Sequence, residues 1–202
     1  GFDRFQSHLP DPLQPGQLTL VQQAERRLRQ RLSAAGLQEI TTLSLTGADD
    51  TEPDRIAISN PLLSETSHLR TDLWREHLEV CQRNLQASQP GCWLFEIGHV
   101  FRPDGHAINQ EARLSGVICG ERRLSRWQTS GKPQPVDYYT ARGVLATVLN
   151  AFGISAQDRQ LSDDPRLHPG RAASVVVEGR PLGCFGQLHP ALCESHELPA
   201  DT

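Results

Sequence analysis

The chain has 202 residues, 37% hydrophobic and 22% charged, a composition that fits a globular protein with a real core. No apolar run approaches the ~20 residues needed to cross a bilayer, which argues against a helical membrane protein. The formal net charge of −4 argues against a broadly basic nucleic-acid-binding surface, so any RNA contact must be a local patch.

Residues 1–18 carry Pro10, Pro12, Pro15 and Gly16 and read as an extended linker from a preceding domain. They contain no basic-then-apolar secretion signal. Methionine is absent throughout, including at position 1, which points to a piece of a longer protein. Thr19 is placed to cap a helix running to about Ala35, with Val21, Ala24, Leu28, Leu32 and Ala35 on one face and Gly36 as its stop. Another face concentrates Arg26, Arg27, Arg29 and Arg31, which is either an ordinary solvated face or a contact surface. Leu37 to Leu45, with Thr41 and Thr42, favours a strand, and Gly47 to Asp54 an acidic loop. Arg55 to Ser59 reads as a short strand closed by Asn60-Pro61, since the residue before proline is pushed out of the helical region.

The next helix, ending near Asn84, turns Leu69, Leu73, Leu78, Cys81 and Leu85 inward, with Trp74 beside them. Trp93 to Phe101 and Glu111 to Cys119 are predicted strands joined by a polar loop from Pro103 to Gln110. Apolar residues on both faces predict a sheet covered on each side. Phe95 is then core, and Glu96 is a carboxylate inside an apolar strand. It requires a partner, Arg70 or a backbone amide, because an unpaired buried charge is too costly. Glu121 to Gln134 is a basic loop with Trp127 as its aromatic anchor. Asp137 to Phe152 is a helix with Val144, Leu145, Val148, Leu149 and Phe152 inward. Ala172 to Val177, the turn Glu178-Gly179-Arg180, and Leu182 to Leu188 form a hairpin. Gly98, Gly183 and Gly186 lie in strands, where glycine marks a bulge or a close backbone approach. His168-Pro169-Gly170 and His189-Pro190 read as sharp corners. The order of elements predicts an α+β fold, an antiparallel sheet flanked by helices.

Five cysteines, Cys81, Cys92, Cys119, Cys184 and Cys193, show no zinc-ligand spacing and read as free thiols in a reducing cytoplasm. His99, His106, His168, His189 and His196 are dispersed, with no HExxH, P-loop, GxGxxG or GxSxG pattern beside them.

Several segments taken in order carry a family resemblance: Asn60-Pro61, Leu69-Arg70-Thr71, Leu94-Phe95-Glu96-Ile97-Gly98, Asp137-Tyr138-Tyr139 with Arg142-Gly143, His168 to Ala173, and Gly183 to Pro190. Together they resemble the catalytic-like module in the β subunit of bacterial phenylalanyl-tRNA synthetases. The resemblance implies one class II synthetase-like domain over residues 19–202. Asn60, Pro61, Leu69, Arg70, Thr71, Phe95, Glu96, Gly98, Gly183, Gly186, His189 and Pro190 are then motif-bearing structural residues. It implies a module without chemistry of its own, supporting a catalytic α subunit in an (αβ)2 assembly that charges phenylalanine tRNA with ATP and Mg2+. In class II folds the first motif, here Thr19 to Leu45, builds a subunit interface. Arg26, Arg27, Arg29 and Trp74 are therefore candidate contacts to the α subunit or to tRNA.

Adenylation by such a fold needs a phosphate-binding arginine from the second motif and another from the third, because the charged transition state must be held by aimed cations. Arg102 offers one, and Gln187-Leu188-His189 has none. Two rival readings remain at this stage. One is a free-standing adenylating or acyl-transfer enzyme with a degenerate class II site, which lacks its arginine pair. The other is a stand-alone RNA-binding paralogue, which lacks a basic surface.

Overall fold

The computed structural model describes residues 2–6, 8–9, 15–49, 51–105, 107–121, 132 and 134–202. Helix α1 (Leu20–Ala34) begins in a capping box: Gln22 N donates to Thr19 Oγ1 at 3.2 Å, and Thr19 N donates to Gln22 Oε1 at 2.9 Å. Gly36, at a left-handed φ of 97°, turns the chain into β1 (Gln38–Glu39). Next come β2 (Leu45–Thr46), β3 (His68–Leu69) and helix α2 (Trp74–Gln86). Strands β4 (Gly91–Asp104) and β5 (Ala107–Gly120) form a long hairpin, followed by helix α3 (Tyr138–Ala151), capped by Asp137. Strands β6 (Gln157–Gln160), β7 (Leu167–Val177) and β8 (Arg180–Leu188) and helix α4 (Pro190–Ser195) complete the described elements.

The strands lie in three small sheets, ordered β1-β4-β5, β2-β3 and β6-β7-β8. All pairings are antiparallel except β1 with β4, which run parallel with Gln38 opposite Leu94 and Glu39 opposite Phe95. Side chains alternate across a strand, so β4 feeds two cores. Cys92 and Leu94 pack with Leu78 and Cys81 of α2 and with Cys193 and Leu198. Trp93 and Phe95 pack on the opposite face with Leu32, Leu37, Val136 and Val148. Phe95 is fully buried, as its place in the strand requires.

Several elements differ from the sequence reading. The predicted strand from Leu37 to Leu45 is paired only at its two ends, because the middle diverts Thr42 to side-chain bonding. Arg55 to Ser59 is extended but forms only one bridge, Ala57 to His68, with irregular backbone bonds beside it. The polar stretch Pro103 to Gln110 is mostly ladder: β4 and β5 stay paired out to Asp104 and Ala107, and the turn includes Gly105 at φ 59°. Polar composition there reflects an exposed hairpin, not a loop. Only β4 is covered on both faces; most of β5 is exposed along the sheet edge. The last hairpin is longer than expected, with the tight turn at Glu178-Gly179 (φ 49° and 81°). Strand β6 and helix α4 were not anticipated, and His189-Pro190 is the start of that helix. Val21 and Ala24, expected inward, are exposed because the first turns of α1 project past the sheet. Leu69 and Leu85 are only partly buried. Pro10, Pro12, His106 and Trp127 lie outside the described residues.

Four of the five cysteines are buried, and Cys184 is exposed. Cys81, Cys92 and Cys119 crowd one another. The contact with Cys119 and then that with Cys92 push the Cys81 thiol far up. Cys119 is pushed up to about 12: the Cys81 contact lowers it, and the Cys92 contact and burial outweigh that. A thiolate is the reactive form. A chromogenic disulfide reagent should therefore titrate only Cys184 in the folded chain, slowly because desolvation raises that thiol too, and all five after unfolding in urea. Prompt reaction of further thiols in the native chain would contradict the closed core.

Candidate functional site

The motif residues converge on one buried polar knot. Arg70, between β3 and α2, is 3% exposed and Glu96 of β4 is 1% exposed. Arg70 Nη2 donates to Glu96 Oε1 at 2.9 Å, the partnership expected from sequence. Arg70 Nη1 donates to Thr42 Oγ1 at 2.7 Å and Nε to the His99 carbonyl at 2.9 Å. The Thr42 hydroxyl donates to Glu96 Oε2 at 2.6 Å, with His77 Nε2 3.3 Å from the same oxygen. Ser115 Oγ on β5 lies 3.4 Å from His77 Nδ1. Burial alone would raise the Glu96 pKa, but Thr42 and Arg70 outweigh it and hold the carboxyl below its ordinary value. Burial lowers the His77 pKa against the opposing pull of Glu96, favouring the neutral ring.

Gly98 makes the knot possible. A Cβ there would sit 2.5 Å from Arg70 Nη2 and 2.7 Å from Glu96 Oε1. Every group in the knot is turned inward onto another, so its chemistry is cross-linking: it ties the chain after β1 to α2, β4 and β5. Sequence reasoning missed His77 and Thr42. The signal for His77 was present, since Leu73, His77 and Cys81 fall at i, i+4 and i+8 on the buried face of α2.

A second network lies beside it. Arg55 is buried and reaches Glu52 at 3.0 Å and Asp49 at 3.5 Å; Arg75 pairs with Asp49, Glu52 and Asp72. Thr71 donates its hydroxyl to Glu52, and its carbonyl accepts from Arg102 Nη2 at 3.3 Å. Trp74 is half-buried between two guanidinium groups, Arg75 at 5.2 Å and Arg166 at 5.8 Å from its ring centroid. Arg166 is itself paired with Asp164. Asn60 and Pro61 form an exposed corner.

The third-motif end is equally engaged. Gln187 accepts from Arg171 Nη1 at 2.7 Å and donates to the Ala200 carbonyl. His189 Nδ1 accepts from Ala191 N at 3.2 Å and caps α4, with Pro190 in its first turn. Gly186 is a close approach, because a Cβ would lie 2.7 Å from Ala172 Cα. Gly183 has open space around it and adjoins the register shift between Val175 and Val176. The residues in these positions do not fit a triphosphate: Arg102 is tied to Thr71, and the facing segment supplies an amide and a cap. Among the described residues, no group of three or more His, Cys, Asp or Glu side chains is placed to hold a metal ion.

The cationic face of α1 is different in kind. Arg29 is held by Glu39 at 2.7 Å and Glu25 at 3.3 Å, and Arg27 lies 5.3 Å over the Phe152 ring. Arg26 and Arg31 have no carboxylate within ion-pair distance among the described residues, and both border a shallow groove along α1. At the start of the helix Leu20 is 83% and Val21 67% exposed. This face, unlike the knot, is left open.

The fold is that of the class II aminoacyl-tRNA synthetases. A pyrrolysyl-tRNA synthetase from Desulfitobacterium hafniense matches with a TM-score of 0.63 over 89% of this chain and 61% of its own, at 16% identity. A second structure of that enzyme matches with a TM-score of 0.61 over 89% and 63%, at 18% identity. Residues 6–202 match the phenylalanyl-tRNA synthetase β chain CLM domain, and the chain belongs to that family, as its catalytic-like module. Phenylalanine–tRNA ligase β subunits of Parasynechococcus marenigrum and a Synechococcus species are 66% and 64% identical over 202 residues, each covering 100% of this chain. One from Prochlorococcus marinus is 43% identical, again over 100% of this chain. The chain spans about a quarter of these relatives, 25%, 25% and 24% of their lengths. Among the described residues, no helix is long and apolar enough to cross a membrane.

Proposed function

We propose that this chain serves as a non-catalytic assembly module of a cytoplasmic phenylalanine–tRNA ligase, pairing with the catalytic α subunit in an (αβ)2 enzyme. Residues 1–18 lead in from a preceding domain and residues 19–202 form the module. The observation that carries this reading is the contrast between the two ends of the fold. Where a class II active site would aim cations at phosphate, Gln187 and His189 are committed to Arg171, Ala200 and a helix cap. The α1 face, by contrast, keeps Arg26 and Arg31 without ion-pair partners among the described residues, and exposes Leu20 and Val21. ATP and Mg2+ then belong to the α subunit, and tRNA to the assembled enzyme.

The test has two readouts. Mixed with the α subunit, the chain should coelute with it on size exclusion. Alone, it should give phenylalanine-dependent ATP–pyrophosphate exchange no higher than a buffer blank. Exchange by the purified chain would overturn the non-catalytic part, and separate elution would overturn the assembly part.

A further inference from the structure

The groove along α1 continues across the seam with α3. The first part, about 590 Å³, is bordered by Arg26, Arg27 and Arg31; the second, about 370 Å³, shares Arg31 and Ala34 and reaches Gly143, Val144 and Thr147 of α3. Gly143 is the informative residue. It lies inside α3, where glycine weakens a helix relative to alanine. Nothing in the fold requires it: its φ is not left-handed, and a Cβ built there meets no atom within 4 Å. What the missing side chain does is keep the floor of the trough low, beside the small residues Ala34, Ala35 and Thr147.

We infer that this α1–α3 trough is a docking site for an acidic helix of a partner protein, presented by the α subunit with which the module is proposed to assemble. Helices approach within ~8–10 Å where the contact residues are small, so a floor of glycine, alanine and threonine suits a second helix. The rim supplies the complementary charge. Arg26 and Arg31 have no carboxylate in ion-pair reach among the described residues, and no acidic side chain lines either part of the trough. A helix with small residues at i and i+4 and Asp or Glu flanking them would satisfy both features. The inference rests on the assembly reading above, but it names a surface that reading does not need.

The experiment uses the full-length β chain and its cognate α subunit. Gly143→Leu points a side chain into the trough while favouring the helical state. It should weaken assembly about tenfold or more, the usual effect of overfilling a packed contact, while the melting temperature of the β chain is unchanged or higher. Gly143→Ala should weaken it much less. Arg26→Glu with Arg31→Glu should slow association and flatten its salt dependence, as rim charges do. Full-strength assembly by Gly143→Leu, with the unmodified chains assembling normally, overturns the trough and leaves the assembly reading standing. An effect of Gly143→Leu on tRNA binding alone, with assembly intact, also overturns it and makes RNA phosphate the occupant. Failure of the unmodified chains to assemble overturns the reading and the inference together.

Discussion

Arg70→Met should destabilise the chain by ~3–5 kcal/mol at pH 7, measured by urea unfolding, because it leaves a carboxylate buried without its cation. Glu96 would keep Thr42 and His77 but lose the guanidinium 2.9 Å from Oε1. The cost is not the worth of the ion pair. It is the penalty of an unpaired charge at a site with 1% exposure. The double variant Arg70→Met with Glu96→Gln should therefore recover a large part of the loss. The pH dependence carries the same signature. In the parent, the Glu96 pKa lies below its unfolded value of ~4.3, so its contribution is present above that pH and lost as pH falls through the folded value. Without Arg70, Glu96 takes up a proton at higher pH, and the gap between variant and parent should narrow toward pH 5. Neutral His77 adds a term of the same sign, since its folded pKa is lowered and the unfolded chain binds that proton first as pH drops below ~6.5. A loss under about 1 kcal/mol at pH 7 would show the pair to be solvated.

The knot also explains why the motif residues fall where they do without any being catalytic. Thr42 follows the first-motif strand, Arg70 precedes α2, and Glu96, Gly98 and the His99 carbonyl belong to β4. In an active class II fold these elements would position a reacting centre. Here they are fastened to one another, and the open cationic surface lies on the opposite face of the sheet, on α1.

The helices were legible because caps and periodicity are local signals. Thr19 with Gln22 and Asp137 with Thr140 both form the bonds their spacing implies. The β4 core was legible for the same reason, since a run such as Trp93-Leu94-Phe95 suits a strand covered on both faces. Strand ends were not, because pairing depends on a partner that the local sequence does not name. Pro103 to Gln110 looked like a loop by composition yet continues the ladder, where polar residues are the proper choice for an exposed hairpin. Arg29 and Trp74 were read as open contacts, and their engagement with Glu25, Glu39, Arg75 and Arg166 is tertiary. Glu96 shows how burial reasoning reaches further than pattern reasoning: an isolated carboxylate in an apolar strand demands a partner, and Arg70 is that partner.

Phe95→Ala should cost ~3–5 kcal/mol, the range for truncating a fully buried aromatic ring. The ring is completely enclosed, in a cluster built by Leu32 of α1, Leu37, Trp93, Val136 and Val148 of α3. Removing it leaves a cavity lined from both helices and the strand, and a packed interior closes such a space only partly. The residue also anchors the first motif through its backbone, since its carbonyl accepts from Ile40 N at 2.9 Å beside the Glu39–Phe95 pair. That bond survives the substitution, so the loss should fall on side-chain packing. Hydrogen exchange should then speed up in α1 and α3, which lean on the lost ring, more than in α2, which packs on the other face of β4. A cost under about 1 kcal/mol, or exchange that quickens equally in α2, would mean that the two faces of β4 do not hold separate cores.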